Sequence, residues 1–169
     1  YEKSPVIEVG SCNAYPGDTI TIPVSLKNNV GIASIKFTVS YDANCLEYQG
    51  ASFTEELTGL SNTVAVNDET TGKVTMSWVK GASGEYTGSE TIANLKFEVI
   101  AVSENTSAQV SLTYDKENVF NESLKNQNVL VKNGTVQIGK YRPGDINGDG
   151  TVDVNDALLL NYVCDLRKD

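Results

Sequence analysis

The sequence predicts an all-β protein, a closed or double-layered antiparallel sandwich of about nine strands, followed by a short segment of a different kind. Two observations carry the sandwich. From Val6 to Ile138, short runs rich in Val, Ile, Thr and aromatics are separated by the turn clusters YPGD, KNNVG, NDETTGK, KGASGEYTG and VKNG. Within those runs apolar and polar residues alternate with period two, as strands with one buried face do.

Strands are expected near Val6 to Ser11, Thr19 to Lys27, Ala33 to Tyr41, Leu46 to Gly50, Thr63 to Asn67, Lys73 to Val79, Thr91 to Val102, Gln109 to Thr113 and Val129 to Ile138, with no helix between them. In the third, Ala33, Ile35, Phe37, Val39 and Tyr41 fall on the core side and Ser34, Lys36, Thr38 and Ser40 on the other. Val74, Met76 and Trp78 mark the core side of the sixth, and Ile92, Leu95, Phe97 and Val99 that of the seventh. Roughly 135 residues of this pattern suffice for one well-buried core.

The C-terminal segment is built otherwise. DINGDGTVDVND, residues Asp145 to Asp156, places oxygen-bearing side chains at loop positions 1, 3, 5, 9 and 12 with glycine at 6. That is the spacing by which a chain wraps a hard cation. Asp145, Asn147, Asp149, Asp153 and Asp156 would converge on Ca2+, with the backbone carbonyl of Thr151 added. Asp156 stands where an EF-hand loop carries glutamate, so the loop must be tighter. The plainer reading, an acidic turn ahead of a helix, uses the same residue types, but turns do not require five ligands in register with an apolar Val152.

A helix comes after the loop, with Leu159, Tyr162, Val163 and Leu166 on one face, Asp153 and Asp156 in the first turn, and Arg167 and Lys168 at the end. Tyr141-Arg142-Pro143-Gly144 before the loop breaks structure, so no helix enters it. The expected organisation is a sandwich over 1–140, a linker over 141–144 and the loop and helix over 145–169.

Residues 144–166, which open with GDINGDGTVDVNDALLLNYV, resemble the first of the two repeats of a dockerin, the calcium-dependent module that plugs proteins into cellulosome-type assemblies. The resemblance implies partner contacts from the helix at Val154, Asn155, Leu158, Leu159, Asn161, Tyr162 and Leu166, to a cohesin or to a second dockerin-type segment. With one repeat, the apolar residues of this helix need another cover, either this chain's own sandwich, if the helix folds back, or the equivalent helix of another chain about a two-fold axis. The four-residue linker and its proline limit folding back, which makes a calcium-dependent homodimer the expectation.

The longer part carries its own resemblance. Tyr15-Pro16-Gly17-Asp18-Thr19-Ile20, Ile22-Pro23-Val24, Gly31-Ile32-Ala33-Ser34, Ser40-Tyr41-Asp42-Ala43-Asn44-Cys45-Leu46-Glu47 and Asn133-Gly134-Thr135-Val136 stand in the order and spacing of cohesin landmarks. Cohesins are nine-stranded jelly rolls that bind dockerins, and the resemblance implies a receptor face on strands three, five, six and eight. The positions carried over are Ser34, Lys36 and Thr38; Ala65 and Asn67; Ser77 and Val79; Ser111 and Thr113. Many cohesins hold a carboxylate where Lys36 stands, so the charge there is reversed. The implied role is a scaffoldin-type adaptor, secreted and working in an extracellular, cell-surface complex for polysaccharide degradation.

Composition narrows the classes. A net charge of −9 with no histidine disfavours nucleic acid, whose phosphates need a basic patch. No run of 18 apolar residues exists to span a membrane. The first residue, Tyr1, suggests a processed or excised piece whose signal peptide lies outside the sequence. Without histidine the common acyl-transfer arrangements are excluded, and Glu55-Glu56 is an adjacent pair of solvated acids, so no enzyme is expected. The competing function is a carbohydrate-binding or adhesion sandwich with structural calcium, which would need exposed aromatics. Trp78 is assigned to the core, and Tyr48, Tyr86 and Tyr114 are scattered. Cys12, Cys45 and Cys164 are expected as three free thiols, against one Cys12–Cys45 disulfide or intermolecular pairing through Cys164.

Overall fold

The computed structural model describes residues 4–81 and 84–167. Among the described residues eleven strands form two facing sheets. In chain order they are β1 (Val6–Val9), β2 (Cys12–Ala14), β3 (Thr19–Lys27), β4 (Ser34–Tyr41), β5 (Leu46–Phe53), β6 (Ser61–Asn67), β7 (Lys73–Lys80), β8 (Thr91–Val99), β9 (Thr106–Tyr114), β10 (Leu130–Lys132) and β11 (Gly134–Ile138). One sheet runs β10-β1-β3-β8-β5 and the other β2-β11-β9-β4-β7-β6.

The count exceeds the expected nine because the first and last runs each divide and change sheet. β1 lies in the five-stranded sheet and β2 in the six-stranded one, and β10 and β11 do the same at the other end of the chain. The crossing needs backbone to approach backbone. A Cβ on Gly134 would stand 2.0 Å from the carbonyl oxygen of Gly10, so only glycine fits there. These divided runs also make the sandwich mixed rather than purely antiparallel, since β1 pairs β10 and β2 pairs β11 in parallel.

Alternation does the packing. Ile22, Val24 and Leu26 from β3, Ile35, Phe37 and Val39 from β4, Val74, Met76 and Trp78 from β7, and Leu95, Phe97 and Val99 from β8 are buried between the sheets. Such burial stabilises by about 1.5 to 3 kcal/mol per large side chain, which sets each strand's register because a one-residue slip would expose the whole set.

Two elements interrupt the all-β expectation. Helix α1 (Glu55–Leu60) inserts Leu57 fully into the core, and the buried indole N–H of Trp78 donates to the Leu57 carbonyl over 2.6 Å. A 3-10 turn over Lys116–Asn118 leads to Phe120, whose backbone bridges to Ser34. At the C-terminus α2 (Val154–Leu166) begins in a capping box, Asp153 as N-cap and Asp156 at its third position, and ends with Arg167 as C-cap. Lys168 lies outside the described residues, as do 82 and 83 within the KGASGEYTG turn. Cys12, Cys45 and Cys164 are free thiols, Cys45 buried and Cys164 exposed.

Candidate functional site

The outer face of the six-stranded sheet brings most of the expected receptor residues into register. Lys36 lies opposite Ser77, and Ser77 opposite Ala65, forming one row across β4, β7 and β6. The next row is Thr113, Thr38, Thr75 and Asn67, across β9, β4, β7 and β6. In it the Thr38 and Thr75 hydroxyls are hydrogen-bonded at 2.8 Å. A third row joins Ser111, Ser40 and Lys73. Val79, 37% exposed, projects from the same face opposite Thr63 and Ser34.

Ser34 corrects the expectation. It is 6% exposed, because the chain after the 3-10 turn lies along it: its hydroxyl donates to the Asn118 carbonyl, and its backbone exchanges hydrogen bonds with Phe120. It therefore has the parity of the face but is covered by residues 118 to 120, out of reach of a partner. Conversely Ser40, Lys73 and Thr75 belong to the face and were missed, although they share the outward parity of Lys36 and Ser77 on the same strands. Between β4 and β9 the surface dips into a cleft of about 260 Å3 lined by Lys36, Phe37, Thr38, Thr113, Tyr114 and Asp115.

Among the described residues the aromatics of the sandwich form no exposed strip, and the exposed Tyr141 and Tyr162 lie in the C-terminal segment. Trp78 and Tyr86 are buried edge to face, and Tyr41 and Tyr48 pack on Phe97.

The loop at 145–156 is organised by its own carboxylates. Asp145 accepts the backbone N–H groups of Gly148, Asp149 and Gly150 at 2.7 to 3.1 Å. Asp149 accepts from the Thr151 N–H and hydroxyl and from the Asn147 amide. Asp156, 3% exposed, accepts from the N–H groups of Ile146, Asn147 and Asp153. The Asp153 N–H is the main cause holding the Asp156 carboxyl below its ordinary value, and the Thr151 hydroxyl does the same for Asp149. Gly150 takes φ of +88°, where a side chain would be strained, and so turns the chain at position 6.

Among the described residues no three carboxylate, thiol or imidazole groups are gathered closely enough to hold a metal. The donor chemistry nevertheless fits a hard cation. It is all oxygen, and each of the three carboxylates accepts three hydrogen bonds where about four lone-pair sites exist, leaving capacity for a metal.

This loop is held against the sandwich. Arg142 pairs with Asp18, and its guanidinium lies 5.2 Å from the centre of the Tyr15 ring. Beside the contact lies a half-open pocket of about 210 Å3 whose lining includes Tyr15, Pro16, Val102, Arg142, Asp145 and Gly150. Helix α2 beyond it is bare. Every described residue of the helix except Asp156 is exposed, including Val154, Asn155, Leu158, Leu159, Asn161, Tyr162 and Leu166. Its apolar side chains are distributed around the axis as well as along the expected face, with Leu158 and Leu160 exposed beside Leu159.

The cohesin domain model matches residues 5–138. The chain belongs to the cohesin domain family. Solved structures agree on the fold. The sixth cohesin from scaffoldin B of Acetivibrio cellulolyticus, solved in complex with a dockerin, is 24% identical with a TM-score of 0.71, covering 80% of this chain and 99% of that one. A chain of a type I cohesin–dockerin complex from Clostridium thermocellum is 18% identical with a TM-score of 0.72 over the same shares. A non-cellulosomal cohesin from the archaeon Archaeoglobus fulgidus is 23% identical with a TM-score of 0.68, covering 80% and 91%. No curated protein matches the chain. Cohesin domains are non-catalytic interaction modules. No helix among the described residues is long and apolar enough to cross a membrane.

Proposed function

We propose that this cohesin is the receptor half of a scaffoldin-type adaptor, binding a dockerin-bearing protein on the outer face of its six-stranded sheet. The observation that carries this reading is the alignment of Lys36, Ser77 and Ala65 with Thr113, Thr38, Thr75 and Asn67 in adjacent rows. Together they make a surface of short, mostly polar side chains around one lysine, dipping only between β4 and β9. Such a surface loses little side-chain entropy when a partner covers it. The archaeal relative is described as non-cellulosomal, so the fold does not carry the cellulosomal assignment; the assignment rests on the C-terminal segment that accompanies it.

That segment is the anchoring half. Asp145, Asn147, Asp149, Asp153 and Asp156, with the Thr151 carbonyl, would hold Ca2+, which neutralises the repulsion of four carboxylates within twelve residues. The exposed helix then pairs with a second dockerin-type segment, that of another copy of this chain, and the pair anchors to a cohesin elsewhere in an extracellular, cell-surface complex. The test is binding of the full chain to a panel of dockerins and of cohesins, with calcium and with chelator. Dockerin binding by the sandwich should survive Asp145→Ala in the chain itself, whereas cohesin binding by the C-terminal segment should require calcium and an intact loop. A chain that binds no dockerin, or whose cohesin binding persists in chelator, overturns the corresponding half.

A further inference from the structure

We infer that the surface this receptor accepts is acidic: a helix of a dockerin-type partner presenting two carboxylates, one to Lys36 and one to Lys73. The inference rests on the receptor reading above and adds the chemistry of the partner. The chain carries a net charge of −9, yet among the described residues no outward-facing position on any of the six strands of the receptor sheet is an acid. Its charged outward residues are Lys36 and Lys73. The opposite sheet is different, for Glu8, Glu47 and Glu98 are interspersed there with Lys27, Lys96 and Lys132. Asp115 borders the cleft beside Lys36, but its carboxylate caps the 3-10 turn, accepting from Glu117 and Asn118.

A mixed surface is neutral on average and steers nothing. On the strand positions of this face Lys36 and Lys73 have no acid interspersed with them, the nearest in sequence to Lys73 being Asp68 and Glu69 in the turn that joins β6 to β7. A partner laid across the strands therefore meets positive charge at those two points, which favours anionic side chains there over cationic ones. Geometry narrows the shape. Lys36 lies opposite Ser77 and Lys73 opposite Ser40, so the two lysines sit four residues apart along the strands and one strand apart across them. That is a separation of about 14 Å, which carboxylates seven to eleven residues apart on one helix face would span. Between the lysines, the Thr38–Thr75 hydroxyl pair and Thr113 offer hydrogen bonds to a polar side chain on the intervening turn.

The experiment titrates the full chain in calcium against two sets of dockerins, one with two Asp or Glu residues at that spacing on the contacting helix and one with Lys or Arg at the same places. Calorimetry at about 50 mM and about 300 mM salt reads the screening. The acidic set should bind roughly tenfold or more tightly than the basic set at low salt, with the gap narrowing at high salt. Lys36→Glu with Lys73→Glu should invert the order. Lys36→Gln with Lys73→Gln should abolish the preference without creating the opposite one, and it serves as the test if the Glu pair alters the melting curve. Equal or stronger binding of the basic set, or an order unchanged in both double variants, overturns the inference and leaves the receptor reading standing. Failure of every dockerin to bind overturns the receptor reading and the inference with it.

Discussion

Ser34 and Lys36 share a strand and a parity, yet one is buried and the other exposed, because a side chain's surroundings are set by whatever crosses it as well as by its own element. The cover over Ser34 comes from residues 118 to 120, more than eighty positions along the chain. Tyr48 shows the same rule in its chemistry. Burial, with the Asp68 charge adding to it, pushes its phenol up to about 12, and burial with the hydrogen bond to Glu90 raises Tyr86 further. Because both folded values lie above the unfolded one near 10, their contribution to stability is fully present below pH 10 and is lost as pH rises through the folded values. Tyrosinate absorbance should therefore show two of the tyrosines resisting ionisation until the protein unfolds in alkali; a single transition near pH 10 for all of them would contradict the burial. In the loop, Asp145 both accepts three N–H groups and stands at position 1 of the proposed calcium loop. Asp145→Ala and Asp149→Ala should each abolish calcium uptake by calorimetry, and an unaltered wild-type baseline at millimolar calcium would sink the metal assignment.

At the level of elements, α1 decides whether one end of the sandwich is closed. Leu57 is fully buried, and the indole of Trp78 is anchored to its carbonyl, so the helix and the β7 core are one packed unit. Leu57→Ala should cost about 2 to 4 kcal/mol in urea unfolding, followed by the emission of the sole tryptophan; a loss within about 0.5 kcal/mol would mean the helix is dispensable. The long strands were legible because Ile35, Phe37 and Val39, or Val74, Met76 and Trp78, repeat every second residue over a full strand. Helix α1 was not, since Glu55–Leu60 is too short to show a period and has one buried residue. Nor were the divisions between β1 and β2 and between β10 and β11, because the contact that causes them joins Gly10 to Gly134 from opposite ends of the chain. Alternation gave the outward positions on the long strands, while the choice of strands for the proposed receptor face came from the cohesin resemblance; the outward parity of Lys73 and Thr75 was within reach of the same alternation, and the burial of Ser34 was not. The capping box at Asp153 and Asp156 matches the acidic first turn expected of α2, yet the apolar ring around that helix exceeds the single face its spacing suggested.

Across the whole molecule the C-terminal segment is tied at one end and unsupported at the other. Arg142 joins it to Asp18 and Tyr15, so Arg142→Ala should release it and enlarge the radius of gyration in small-angle scattering, with the melting of the sandwich unchanged; an identical scattering curve would show that the pairing does not position the segment. Beyond that tie, Val154, Leu158, Leu159, Tyr162, Val163 and Leu166 are all exposed on one short helix. Covering them would recover about 1.5 to 3 kcal/mol for each that is fully buried, and soluble monomers seldom leave such a patch bare. The sandwich itself does not cover it, because the Arg142 tie and Pro143 hold the loop at the Tyr15 end while the helix projects with only Asp156 buried. The equivalent helix of a second copy can cover it about a two-fold axis, since a self-complementary patch buries both copies at once. Calcium at the proposed site would bear on this because the loop fixes the start of the helix through Asp153 and Asp156, and a frayed first turn would present no regular face. Light scattering should therefore give a dimer in calcium that chelator and Leu159→Glu each dissociate. A strict monomer at high protein concentration in calcium would rule out the pairing and leave a different protein as the partner that covers the helix.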